Sequence, residues 1–130
     1  MQLWIPDVSQ HQGKIKWNKL VGKIPGAIIR IGYGDDLKKQ DDLYAFYNMS
    51  ECARLGIPFA VYIYSYAKTE RQILSEISHT KRVCSGFNPV SYWLDLEERN
   101  NSGIWKKAAQ LWKKAFGLLK VTSTNIPLIF

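Results

Sequence analysis

The chain is poor in sulfur and imidazole, with two cysteines, two histidines and two methionines in 130 residues. Cys52 and Cys84 stand too far apart for a zinc pattern and neither has a histidine at ligand spacing, which excludes the common structural zinc modules. They read as small buried hydrophobes on helices rather than as a disulfide. No apolar stretch approaches the ~20 residues needed to span a bilayer, so no membrane insertion is expected. The N-terminus lacks the basic region and apolar segment of a secretory signal. Glycines are scattered as punctuation and not gathered into a phosphate loop, and no helix-turn-helix pattern is present, so nucleic acid is not an expected partner. Acidic residues are the minority, 11 against 18 basic, and the resulting charge of +7 favours residence near polyanions such as nucleic acid, anionic lipid or an anionic cell wall, without distinguishing among them. What the chain does have is apolar and aromatic content, 46% and 13%, enough for one compact domain with a core.

Short apolar runs alternate with amphipathic segments, the pattern of a parallel sheet with crossover helices. Strands are expected at Leu3–Val8, Ala27–Tyr33, Phe59–Tyr66 and Ser91–Leu96, with a fifth at Ile126–Phe130. A short helix is expected from Trp17 to Gly22. A longer one, capped by Asp41 or Asp42, runs to Leu55 and is stopped by Gly56 and Pro58. Thr69 and Gln72 form a capping-box signature for a helix reaching about Cys84, with Ile73, Leu74 and Ile77 as its apolar face. His79, among Ser78, Thr80 and Lys81, reads as a solvated helix residue. The last helix repeats Trp-Lys-Lys-Ala after seven residues. Its stripe of Trp105, Ala109, Trp112, Phe116 and Leu119 is expected to pack on the sheet, leaving Lys106, Lys107, Lys113 and Lys114 in water.

The fold class is therefore α/β, a partial TIM-like barrel of about five parallel strands alternating with helices. A complete (β/α) barrel takes about 250 residues, so residues 1–130 are expected to form a single domain lacking the C-terminal part of the barrel. An open sheet ending on Pro127-Leu128-Ile129-Phe130 presents an unpaired apolar edge, where self-association is expected.

The chemistry concentrates at strand ends. Tyr92-Trp93-Leu94-Asp95-Leu96-Glu97 closes an apolar run with two carboxylates, and alternation along a strand puts Asp95 and Glu97 on one side with Cα atoms roughly 6.5 Å apart. Asp7 lies near the C-terminal end of the first strand, the end where ligands bind in parallel α/β proteins. Paired carboxyl groups can serve as acid and base in cleaving a glycosidic bond, and that spacing leaves retaining and inverting geometries both open. A divalent-metal site using the same three acids is the competing reading. Tyr62, Tyr64 and Tyr66 share one strand face, and Tyr33 closes the second strand; such rings offer sugars a flat apolar surface with a hydroxyl. His11 follows Asp7 in the first loop and is a further candidate contact.

The segment Pro6-Asp7-Val8-Ser9-Gln10-His11-Gln12-Gly13-Lys14-Ile15-Lys16-Trp17 resembles the opening motif of the Chalaropsis-type lysozymes, glycoside hydrolase family 25, which includes many phage endolysins and autolysins. Ala27-Ile28-Ile29-Arg30-Ile31-Gly32, Gly56 to Tyr64 and Tyr92 to Glu97 resemble later family segments in the same order. The resemblance implies a peptidoglycan hydrolase cleaving the β-1,4 bond between N-acetylmuramic acid and N-acetylglucosamine. It implies Glu97 as general acid, with a proton affinity raised by Asp95 and Asp7. Asp95 would stabilise developing charge or orient the substrate's acetamido group, and Asp7 would hold substrate. It implies neither cofactor nor metal, and a site of action at the bacterial wall, reached at phage lysis or by non-classical export. The family's late strand with a further aspartate has no counterpart here, so a noncatalytic, wall-binding fragment is the alternative.

Overall fold

The computed structural model describes residues 4–117 and 121–122. Five parallel strands, β1 (Asp7–Val8), β2 (Ala27–Tyr33), β3 (Phe59–Tyr64), β4 (Tyr92–Asp95) and β5 (Val121–Thr122), lie side by side in chain order. Three helices connect them: α1 (Ala45–Leu55) between β2 and β3, α2 (Glu70–Val83) between β3 and β4, and α3 (Trp105–Phe116) between β4 and β5. Simple strand order with a helix after each of β2, β3 and β4 is the arrangement of a curling barrel wall. None of the described helices is long and apolar enough to cross a membrane.

The core sits on the face that the helices cover. Val8, Ile29, Ile31, Val61, Ile63 and Leu94 point that way from the strands and are 0–5% exposed. Met49 and Cys52 of α1, Ile73 of α2, and Ala108 and Trp112 of α3 meet them and are fully enclosed. At about 1.5–3 kcal/mol per enclosed aliphatic or aromatic side chain, this layer supplies most of the apolar stabilisation. The expected stripe on α3 is present, and its lysines are exposed. Leu119 of that stripe lies outside the described residues, as does the expected strand Ile126–Phe130; the fifth strand that is described is β5.

Several expected elements are shorter in the structure. The first strand begins at Asp7 and not Leu3, because Pro6 offers only its carbonyl, which accepts from Ile28 N at 2.8 Å, and Trp4 and Ile5 turn into water. Trp17–Lys19 makes one 3-10 turn instead of a helix to Gly22. Trp17 is nonetheless enclosed, with Nε1 donating to Asn48 Oδ1 at 2.9 Å. The helix ending at Leu55 opens at Ala45, later than expected, because the two aspartates before it are engaged elsewhere. Asp42 accepts from Gln10 N and Tyr44 N, and Asp41 faces α2. β3 stops at Tyr64 and β4 spans only Tyr92–Asp95. Thr69 caps α2 as expected, accepting from Gln72 N at 3.3 Å.

His79 is the clearest reversal. It is fully buried and not solvated, because the loop after β2 folds across α2. Its Nδ1 lies 3.0 Å from Gly34 O and its Nε2 2.7 Å from Asp41 Oδ1. The ring is thus pinned through both nitrogens between the loop after β2 and Asp41. Arg82 closes the same cluster by donating to Asp36 and Asp41. Both cysteines are free and buried as expected, and burial pushes each thiol up to about 12.

Candidate active site

The other face of the sheet is concave and half-buried, and its residues fall into register across strands. Arg30 pairs with Tyr62 and Tyr62 with Trp93; one step toward the C-terminal ends, Tyr33 pairs with Tyr64 and Tyr64 with Asp95. Strict alternation along β2 would send Arg30 and Tyr33 to opposite faces, since they are three residues apart. A bulge between Arg30 and Gly32 resolves this by adding one residue against β3, which turns Tyr33 to the same face as Arg30. Gly32 is required there: a Cβ would lie 2.5 Å from Gln40 O and 2.9 Å from His79 Cε1.

The three acids named from the sequence meet on this face. Asp95 and Glu97 carboxyls are hydrogen-bonded to each other although β4 ends at Asp95, and the charge of Asp7 reaches Asp95. Two carboxyl groups can share a hydrogen bond only if one keeps a proton. Burial first, then the charge of Glu97, then that bond, and last Asp7, push Asp95 up to about 7. The upward push is therefore found on Asp95, where the expectation had named Glu97. Asp7 meets water on one side with protein behind it; partial desolvation raises its pKa, opposed by the hydroxyl of Tyr62, which donates to it. Tyr62 is held well above its ordinary value by burial and by Asp7.

Aromatic rings line the side of the acids. Tyr66 lies beyond the end of β3 rather than on it, yet its ring packs 5.0 Å from that of Tyr64 and 5.9 Å from that of Tyr33. Tyr33, Tyr62, Tyr64 and Tyr66 are thus all brought to the groove, two of them by devices other than alternation. His11 sits in a 3-10 turn fastened by a capping box between Ser9 and Gln12, and its Nε2 lies 3.2 Å from Arg30 Nη1.

Sequence reasoning missed four residues. Glu98 accepts from the Tyr64 hydroxyl at 3.1 Å, adding a third carboxylate to the Asp95–Glu97 run; its position next to the pair was the available signal. Arg30 was visible as a charge inside an apolar strand. Glu76 of α2, 1% exposed, accepts from Ser65 Oγ at 2.7 Å and Tyr66 N at 2.9 Å, and burial pushes it up to about 7. His79 holds Gly34, next to Tyr33, in the same way. Glu76 and His79 therefore fix the two chain segments that carry Tyr66 and Tyr33. Both looked like ordinary helix polar residues.

A cavity of about 610 Å³ lies outside the groove, between the loop after β2 and the start of α2, and holds none of the three acids. Among the described residues no three His, Cys, Asp or Glu side chains are disposed to hold a metal ion.

No protein-family model matches the sequence, and no curated protein matches it. Solved structures do. The modular autolysin LytC from Streptococcus pneumoniae superposes with a TM-score of 0.75 at 28% identity, over 92% of this chain and 32% of that one. The catalytic domain of the endolysin ply40, from bacteriophage P40 of Listeria monocytogenes, gives 0.76 at 20% identity, over 95% of this chain and 63% of that one. A family 25 glycosyl hydrolase from Bacillus anthracis gives 0.71 at 17% identity, over 90% and 57%. The chain thus spans about a third of the autolysin and less than two thirds of the other two. Over that span, its strands, helices and order of elements are those of the family 25 glycosyl hydrolase fold.

Proposed function

We propose that the groove is part of the catalytic cleft of a peptidoglycan hydrolase, an N-acetylmuramidase acting on the β-1,4 bond between N-acetylmuramic acid and N-acetylglucosamine. The observation that supports this reading best is the pairing of Asp95 with Glu97 beside Asp7, where burial and like charge push Asp95 up to about 7. A general acid must still hold its proton at working pH, and two close carboxyls beside a third acid keep one. Glu97 passes the proton to the bridging oxygen as the bond from the anomeric carbon to that oxygen breaks. Asp95, left charged, stabilises the positive charge on the sugar or orients its acetamido oxygen for attack. Water then completes hydrolysis and the pair regains a proton. Asp7, steered by Tyr62, holds the sugar, and Tyr33, Tyr64 and Tyr66 supply the stacking surface, with His11 at the edge of the groove. The site of action is then the bacterial wall. A tested solved relative has been seen with a synthetic peptidoglycan ligand, the autolysin itself, which supports peptidoglycan as the polymer to try.

The second reading is a noncatalytic glycan binder, in which the clustered Tyr33, Tyr64 and Tyr66 rings hold the polymer and no bond is cleaved. Turbidity of purified peptidoglycan separates the two. A muramidase clears the suspension and Glu97→Gln does not, while both still sediment with the wall. Wild type that sediments without clearing supports the binder. Neither clearing nor sedimentation rejects both.

A further inference from the structure

Arg30 is a cation on the inner face that no acid neutralises. The ion pairs among the described residues engage Arg54, His79, Arg82 and Lys107, and none engages Arg30. Its Nη1 is directed at His11 Nε2, 3.2 Å away. A guanidinium only donates, so Nε2 of His11 accepts, and this contact brings no anion to Arg30. The Tyr33 ring, 5.5 Å from the guanidinium carbon, favours a cation without cancelling it. Arg30 Nε is shut off from water with no hydrogen-bond partner, a state that native structures seldom leave unexplained.

The groove is therefore divided. Asp7, Asp95 and Glu97 form an acidic part, and Tyr62, paired in register with Arg30, responds both to Asp7 and to Arg30. A uniformly neutral glycan would meet only the acidic part. A glycan with an acidic substituent would place neutral sugar against the acids and its anion against the guanidinium. Arg30 Nη2 is not used by His11, and a guanidinium N–H there can donate a charge-assisted hydrogen bond to a carboxylate.

We infer that Arg30, backed by His11 and Tyr33, is a carboxylate-binding subsite that selects glycan bearing a free acidic substituent, such as the lactyl carboxyl of muramic acid without an attached peptide. This rests on the glycan-groove reading and adds to it the form of glycan preferred. The chemistry discriminates sharply, because amidation removes the anion and its second acceptor oxygen while leaving the sugar unchanged.

The test is calorimetric binding by the full chain, in low salt and at low temperature. Three tetrasaccharides are compared: alternating N-acetylglucosamine and N-acetylmuramic acid with free lactyl carboxyls, the same compound with those carboxyls converted to methylamides, and chitotetraose. Wild type is expected to hold the free-acid form roughly tenfold more tightly than the amide, as a charge-assisted hydrogen bond gives. Added salt should shrink that ratio. Arg30→Gln should abolish it while affinity for the amide is kept, and Arg30→Lys should keep part of it; circular dichroism checks both folds. Equal binding of acid and amide by wild type overturns the inference and leaves the glycan reading standing. Failure to bind any of the three overturns both.

Discussion

The two faces of one sheet follow opposite rules. Toward the helices, β2 and β3 present Ile29, Ile31, Val61 and Ile63, each fully enclosed. Toward the groove the same strands present Arg30, Tyr33, Tyr62 and Tyr64, all half-buried, with Asp95 beside them on β4. The first face lowers free energy by removing apolar surface from water; the second holds charges that burial and one another disfavour. Stability and chemistry are thus segregated by the period of two along each strand. Glu76 and His79 depart from this division, because they lie on the helix side yet fix segments on the groove side.

The strongest way to break that contrast is on the helix side. Trp112 is fully buried and donates from Nε1 to Tyr92 O at 3.0 Å, so Trp112→Ala should cost about 3–5 kcal/mol, read from urea unfolding. A loss under about 1 kcal/mol would mean that α3 is not part of the core layer. Next in size is a pH effect. Glu76 is raised from 4.5 to about 7, so its contribution to stability is full below its unfolded value and is lost as pH rises through about 7. The loss is on the order of 3 kcal/mol, and Asp95 acts in the same sense. Glu76→Gln should remove Glu76's share, flattening the fall in stability between about pH 4.5 and 8 in denaturation series. An unchanged slope would show that Glu76 titrates normally. The smallest effect belongs to the groove. Tyr62→Phe should change stability by only about 1 kcal/mol, while the Asp7 pKa rises further because the hydrogen bond that lowers it is gone; carbon NMR of Asp7 reads this directly.

Periodicity made most of the framework legible. Ala27–Tyr33 is the same in sequence and structure, and the ends of α1 and α2 agree to within a residue or so at Gly56 and Cys84. Boundaries failed where side chains captured backbone groups: Asp42 on Tyr44 N, and Glu76 on Tyr66 N. Asp7, Asp95 and Glu97 were readable because strand ends in parallel sheets converge. The supports of the groove were not. His79 and Glu76 have polar neighbours in sequence, and only the loop folded across α2 and the turn after β3 decide that they are enclosed. Arg30 stood out as a charge inside an apolar run, but its contacts with His11 and Tyr33 depend on how the first loop and the bulge fold, which no spacing rule supplies.

The added residue between Arg30 and Gly32 has a consequence for how this strand can vary. It acts as a parity switch: upstream of it even-numbered side chains look into the cleft, and at Tyr33 an odd-numbered one does. Deleting Ile31 would remove the bulge and leave Tyr33 opposite Tyr64 on the same face, whereas pairing Ile31 regularly with Ile63 would swing Tyr33 into the dry layer beneath the helices and sever its ring contact with Tyr66. The added residue and the irregular pairing are therefore coupled: what must be kept is not the length of the strand but the refusal of Ile31 to take a place in the ladder.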